Sequence, residues 1–194
     1  MAHRTEIRKL ARGQAVLAGA GLGTAVFGTL VTSRPTQAQP TVQFLDFQGV
    51  DVATASFLRE AILAYRDHCR AAFPAIYPVL ANLAETVEEE LANLLVQRSD
   101  AMACCHLSDS SHASRARVIG TLESKQAEAL RLVIDAGAVD APTLARGEKG
   151  AKKVGPTAWN NRLAALAKKS LVLSAPEGRS VVFRPVLKGL SYGP

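Results

Sequence analysis

Between residues 41 and 107, short β-rich runs alternate with amphipathic helical stretches, and no other feature of the chain limits its fold as much. "TVQFLDF" (41–47) opens after Pro40 and is rich in β-branched and aromatic residues. "ATASFLREAILAYRDHCRA" (53–71) has helical spacing. Phe57, Ile62, Tyr65 and Cys69 share one side, and Arg59, Glu60, Arg66 and Asp67 occupy the other. Thr54 or Ser56 stands where a helix cap belongs. "AIYPVLANL" (75–83) reads as a second strand, with Pro78 predicting an edge or a bulge because proline has no N–H for the ladder. "AETVEEELANLLVQRS" (84–99) is a second helix, with Glu85, Glu88, Glu89 and Glu90 near the positive end of its dipole. "AMACCHL" (101–107) is a third strand, "SDSSHAS" (108–114) a polar loop, and "RARVIGTL" (115–122) a fourth strand or a linker. Strands alternating with helices predict an α/β fold with a partly parallel sheet and flanking helices.

The first forty residues admit two readings. "MAHRTEIRKLARG" is basic, "QAVLAGAGLGTAVFGTLV" is apolar, and "TSRPTQAQ" holds a step at which a leader could be cut after Ala38. The other reading is a short edge strand, a Gly-rich turn and a buried helix from about Leu22 to Val31. Five glycines between 13 and 28 weaken a leader helix, since glycine costs about 1 kcal/mol in a helix interior. "GAGLG" is a poor dinucleotide fingerprint, because the third glycine of that motif falls on Thr24.

The titratable residues predict no catalytic centre. Three cysteines, Cys69, Cys104 and Cys105, are an odd number without framework spacing, which fits a reducing cytoplasm. On a strand, neighbouring Cys104 and Cys105 point to opposite faces, so "CCH" predicts a buried strand rather than a metal site. His68 and His106 fall in core elements and His112 in a polar loop. There is no P-loop, no Ser/His/acid arrangement and no paired carboxylate site, so the expectation is a non-enzyme without cofactor or metal.

Charge separates the two ends of the chain. Residues 141–194 carry ten Lys and Arg against two acids, a net +8, whereas residues 1–140 carry a net −2. A basic module on a near-neutral one predicts a polyanion partner for the module alone. "LESKQAEALRLVIDAGA" (122–138) reads as a helix stopped at Gly137, "DAPTLARGEKG" (140–150) as a short helix starting near Pro142, and Pro156 opens a third helix. At 100° per residue, Trp159, Leu163, Leu166 and Ala167 of that helix face a core. Thr157, Asn161, Ala164 and Lys168 face away, with Ala158, Asn160 and Ala165 beside them. Asparagine can pair with adenine in the major groove, and Lys152, Lys153 and Lys168 can neutralise phosphates. "LVLSA" (171–175) and "SVVFRPV" (180–186) then form a hairpin around Pro176-Glu177-Gly178-Arg179, with a cation at its tip.

Two resemblances follow from these residues. "LDFQGVDVATASFLREAIL" (45–63) resembles the STAS-like family, the relatives of sulfate-transporter and anti-sigma-factor-antagonist domains, through Asp46, Gly49, Ser56, Phe57 and Leu58. The resemblance implies a helix-flanked sheet over residues 1–120 and a partner-facing loop at Thr54, Ala55 and Ser56. In the phosphorylated antagonists the acceptor serine aligns with Ala55, which has no hydroxyl, so docking without phosphorylation is expected. The segment 122–187 resembles a winged helix-turn-helix, on Thr157, Trp159, Arg162, Leu163, Leu166, Leu171-Val172 and the Gly178-Arg179 tip. It implies a DNA-binding domain over 121–194 that uses Lys152, Lys153, Thr157, Asn160, Asn161, Arg162, Lys168 and Arg179. Together they imply a cytoplasmic regulator with double-stranded DNA and a regulatory protein as partners, no membrane, and a homodimer left open. The competing expectation is a partner-switching protein that binds no DNA.

Overall fold

The β-rich runs assemble into a sheet because their side chains are apolar on both faces. In a computed structural model that describes residues 3–36, 38–108, 112–147 and 154–193, β1 (His3–Glu6), β3 (Thr41–Asp46), β5 (Ile76–Ala81) and β6 (Ala101–Leu107) lie parallel in that order. β7 (Ala113–Gly120) closes the far edge antiparallel to β6. The α/β fold with a partly parallel sheet is therefore as expected, and residues 115–122 contribute a strand rather than a linker.

Three crossovers cover one face. α2 (Ala20–Thr32) joins β1 to β3. α3 (Ala55–Phe57), a π-helical stretch (Leu58–Leu63) and α4 (Ala64–Ala72) run on as one helix between β3 and β5. α5 (Glu85–Gln97) joins β5 to β6. Strands that follow one another in order, joined by right-handed crossovers, place all their helices on the same side. Leu45, Leu80, Met102 and Cys104 accordingly pack with Val26, Leu30, Ile62, Leu91 and Leu95. Short pieces fill the connections: α1 (Ile7–Leu10), and β2 (Val16–Leu17) paired with β4 (Val52–Ala53). The helix expected at Leu22–Val31 is thus α2, and its glycine has a packing role. A Cβ on Gly23 would lie 2.9 Å from Glu60 Cβ and 3.0 Å from the Phe57 carbonyl oxygen, so only glycine lets α2 approach the π-helical stretch this closely.

Pro78 lies in an internal strand, not at an edge. It is tolerated because β6 is in register with β5 only at Leu80 and Ala81, which leaves the first half of β5 unpaired on that side. Arg66, expected on the solvent side of its helix, is buried instead, because Asp100 meets it there.

The C-terminal region covers the second face. α6 (Ser124–Ala136) stops at Gly137, whose φ of 69° suits glycine. β8 (Val139–Asp140) leads into α7 (Ala141–Gly147), where Thr143 N donates to Asp140 Oδ1 at 2.9 Å and so satisfies one orphan N–H. α8 (Pro156–Lys168) begins on Pro156 and is followed by β9 (Val172–Glu177) and β10 (Ser180–Pro185), in a sheet ordered β8-β10-β9. The hairpin turn is Gly178-Arg179 alone. Pro176 and Glu177 belong to β9, an edge strand that accepts proline.

Phe44, Tyr77, Val79, Ala103 and Cys105 project from the sheet into one hydrophobic core with Leu130, Trp159, Leu163, Leu171 and Phe183. The expected boundary near residue 120 falls between β7 and α6, but the regions on its two sides share this core. Polar contacts fix the seam. Ser174 N donates to Tyr77 Oη at 3.0 Å, and Lys169 Nζ reaches Asp100 Oδ1 at 2.7 Å. The tail returns along β7, with Val118 N donating to Ser191 O at 3.0 Å and Ser191 N to Ala116 O at 3.1 Å. No helix among the described residues is long and apolar enough to cross a membrane.

Candidate nucleic-acid interface

α8 meets a different environment on each side. Trp159, Leu163, Leu166 and Ala167 are buried, as their spacing requires. Thr157, Ala158, Asn160, Asn161 and Lys168 are exposed, while Ala164 and Ala165 are half-buried. Thr157 and Asn161, one turn apart, lie on the outer surface. Asn160, Ala164 and Lys168 line a furrow between α8 and the β9–β10 hairpin. At the furrow's near end, a hollow of about 320 Å³ lies among Pro156, Thr157, Asn160, Arg179 and Val181. The next hollow, about 300 Å³, continues past Asn160 and Val181 to Lys168 and Arg70.

The electrostatics of this surface follow from which cations are already paired. Arg184 Nη1 sits 2.6 Å from Glu177 Oε1. Arg162 Nη1 sits 3.2 Å from Glu128 Oε2 of α6, with its guanidinium 4.5 Å from the Trp159 ring centroid. Arg162 therefore differs from its expected role. It lies on the α6 side of the helix and braces α8 rather than facing outward. Arg179 and Lys168 have no carboxylate partner among the described residues and remain at the two ends of the furrow. Lys152 and Lys153 lie outside the described residues. The first turn of α8 has no acidic residue, so the positive end of its dipole stays open to an anion.

The loop at 54–56 is already satisfied from within. Thr54 Oγ1 accepts from Phe57 N at 3.4 Å and from Gly19 N at 3.2 Å, and lies 3.1 Å from Ser56 Oγ. Thr54 is thus the helix cap. Ala55 N donates to Glu90 Oε1 at 2.9 Å. The expected partner-facing loop therefore has its helix start occupied by a glutamate of α5, and all three residues are half-buried.

The Asp46 of the "LDF" run ties the sheet together at the C-terminal ends of its strands. It is buried and accepts from Arg4 Nε at 2.6 Å, Gln48 N at 3.0 Å and Asn82 Nδ2 at 2.9 Å. Asn82 extends the strap to β6 by accepting from Leu107 N at 2.9 Å. Arg4 of β1, Asp46 of β3, Asn82 just after β5 and Leu107 of β6 are joined in this way.

The thiols are structural. Cys104 packs in the helix-side core and Cys105 in the opposite one, as alternation requires. Burial pushes the Cys104 thiol up to about 12 and those of Cys69 and Cys105 up to about 11, which suppresses the reactive thiolate. His68 is half-buried between the rings of Phe27 and Phe73. His106, expected in the core, is exposed because the β6–β7 register shifts between Cys104 and His106. Among the described residues no group of three or more His, Cys, Asp or Glu is arranged to hold a metal ion. Comparison of the chain with protein-family models, with curated proteins and with solved structures finds no match.

Proposed function

We propose that the protein is a non-enzymatic regulator whose C-terminal region is a winged helix-turn-helix that binds duplex DNA, and whose N-terminal region is a STAS-like module that receives a signal or a protein partner in the cytoplasm. The observation that carries the reading is the order helix, strand, helix, helix, hairpin, with strands paired β8-β10-β9 and the outer side of the third helix left free. In this reading α8 enters the major groove. Thr157 and Asn161 then reach base edges, small Ala158 allows close approach, and Asn160 sits where the furrow meets the groove wall. Lys168, Arg179 and the α8 N-terminus take phosphates, which position the helix without reading sequence. The STAS-like assignment rests on the Asp46 strand end, the turn at Gly49 with φ 75°, and the Thr54-capped helix that follows.

An electrophoretic mobility shift of the full chain on a random-sequence duplex tests the reading. A shift that weakens steeply with added salt is the expected outcome. No retardation of any duplex at low salt would favour the partner-switching alternative.

A further inference from the structure

We propose that the phosphate-binding furrow does not end at the C-terminal region, and that Arg70, at the end of α4 in the N-terminal region, completes it. The inference rests on the reading of α8 as the DNA-binding helix.

The furrow is continuous from one region to the other. Its near hollow holds Arg179, Thr157 and Asn160, its middle hollow Asn160, Val181, Lys168 and Arg70, and its far hollow, about 260 Å³, Lys168, Arg70, Ala71 and Asp67. Neighbouring hollows share residues at each step. From Pro156 to Lys168 the helix rises about 18 Å at 1.5 Å per residue, so the furrow beside it can follow a short segment of one DNA strand. Cations stand at both ends of that path.

The charge balance at the far end favours an anion. Four charged groups lie together at the seam. Arg66 Nη2 is 2.7 Å from Asp67 Oδ1 and 2.6 Å from Asp100 Oδ2, and Lys169 Nζ is 2.7 Å from Asp100 Oδ1. Two cations and two carboxylates cancel. Arg70 and Lys168 remain, adjacent and without a carboxylate partner among the described residues, so this end of the furrow carries two uncompensated positive charges.

Arg70 is also held ready. Its Nη1 donates to the carbonyls of Pro74 at 2.8 Å and Ile76 at 3.0 Å, which fix the guanidinium without neutralising it. Its guanidinium carbon lies 3.9 Å from the Tyr77 ring centroid, and Tyr77 Oη is in turn bonded to Ser174 of the hairpin. Its Nε is buried with no hydrogen-bond partner. A long side chain already immobilised loses little entropy on meeting a phosphate. Because Arg70 belongs to α4, any displacement of α4 relative to α8 alters the furrow, and the N-terminal region acquires a direct hold on DNA affinity.

The test uses the full chain, a fluorescent random-sequence duplex and anisotropy titrations across a salt series. Arg70→Gln and Lys168→Gln should each reduce the slope of log affinity against log salt by about 0.9 and weaken binding at 0.1 M salt by roughly fivefold to tenfold. Arg70→Lys should restore most of both. Ala71 is exposed at the far hollow and makes no side-chain bond, so Ala71→Glu places a carboxylate beside Arg70 without disturbing its supports, and should weaken binding to a similar extent. A wild type that binds duplex while Arg70→Gln and Ala71→Glu leave affinity and slope unchanged overturns the role of Arg70 and leaves the reading of α8 intact. A wild type that binds no duplex overturns the reading itself. Preference for single-stranded RNA or for an acidic polypeptide over the duplex also overturns the proposal.

Discussion

Replacing Asp100 by asparagine probes how firmly the two regions are joined. The side chain of Arg66 is only 4% exposed and that of Asp100 11%, so their ion pair is shielded from solvent. Asp100 also accepts from Lys169 Nζ and, at 2.8 Å, from Ala101 N. Asparagine keeps the shape and removes the charge, which leaves the Arg66 guanidinium buried with Asp67, half-exposed, and the Ala101 carbonyl as its remaining acceptors. Removing one partner of a buried pair costs about 3–5 kcal/mol, and the surviving acceptors place this case near 3. For a chain of this size 1 kcal/mol corresponds to about 2–4 °C, so the thermal midpoint should fall by about 6–12 °C. Differential scanning calorimetry reads the effect.

The pH dependence gives an independent measure of the same group. Burial alone would raise the Asp100 pKa, but the hydrogen bonds and charge of Arg66, with the Lys169 and Ala101 donors, outweigh it and hold the carboxyl below the usual range. A carboxyl with a depressed folded-state pKa stabilises the fold above its unfolded value near 4 and loses that contribution as the pH falls through its folded value. Wild type should therefore lose stability on acidification below about pH 4, and Asp100→Asn should show a flatter acid limb. A midpoint drop under about 2 °C together with unchanged acid limbs would refute the buried-pair reasoning.

Three further outcomes follow from packing and from the helix start. Gly23→Ala should destabilise by about 1–3 kcal/mol, since the new methyl meets the Phe57 carbonyl and the Glu60 Cβ; urea denaturation measures it, and an unchanged midpoint would mean that α2 sits farther out. Ala55→Asp places a second carboxylate next to Glu90, which already accepts from Ala55 N, so it should cost about 1 kcal/mol; Ala55→Asp/Glu90→Gln should recover part of the loss by calorimetry. Deleting residues 1–38 removes β1 and α2, exposes Leu45, Leu58 and Ile62, and should give insoluble protein; a soluble product with a cooperative melt contradicts their place in the core.

Much of the fold was legible in the residues. The alternating runs at 41–107, Pro156 at the start of α8, and Gly178 at the hairpin turn each carry a local signal with a physical cause, and those elements stand where the signals put them. What local pattern could not supply is what lies on each side of an element. The helical wheel separates Trp159 and Leu163 from Asn161, but it does not say that α6 lies beside Arg162, so a bracing arginine looked like a free one. Arg66 looked solvated for the same reason, since Asp100 is thirty-four residues away. A usable clue to the shared core was present: "IYPVLA" and "AMACC" lack polar alternation, which marks strands covered on both faces. Arg70 had no local signal, because its place beside Lys168 arises only when the two regions dock.

The placement of α8 in the major groove is tested by selecting a bound site from a randomised duplex pool and comparing wild type with Asn161→Ala on it. A site should enrich on which Asn161→Ala loses about 1–3 kcal/mol, with binding to random duplex nearly unchanged. A pool that never enriches, or equal losses on the selected and random duplexes, would contradict the placement of α8 in the major groove.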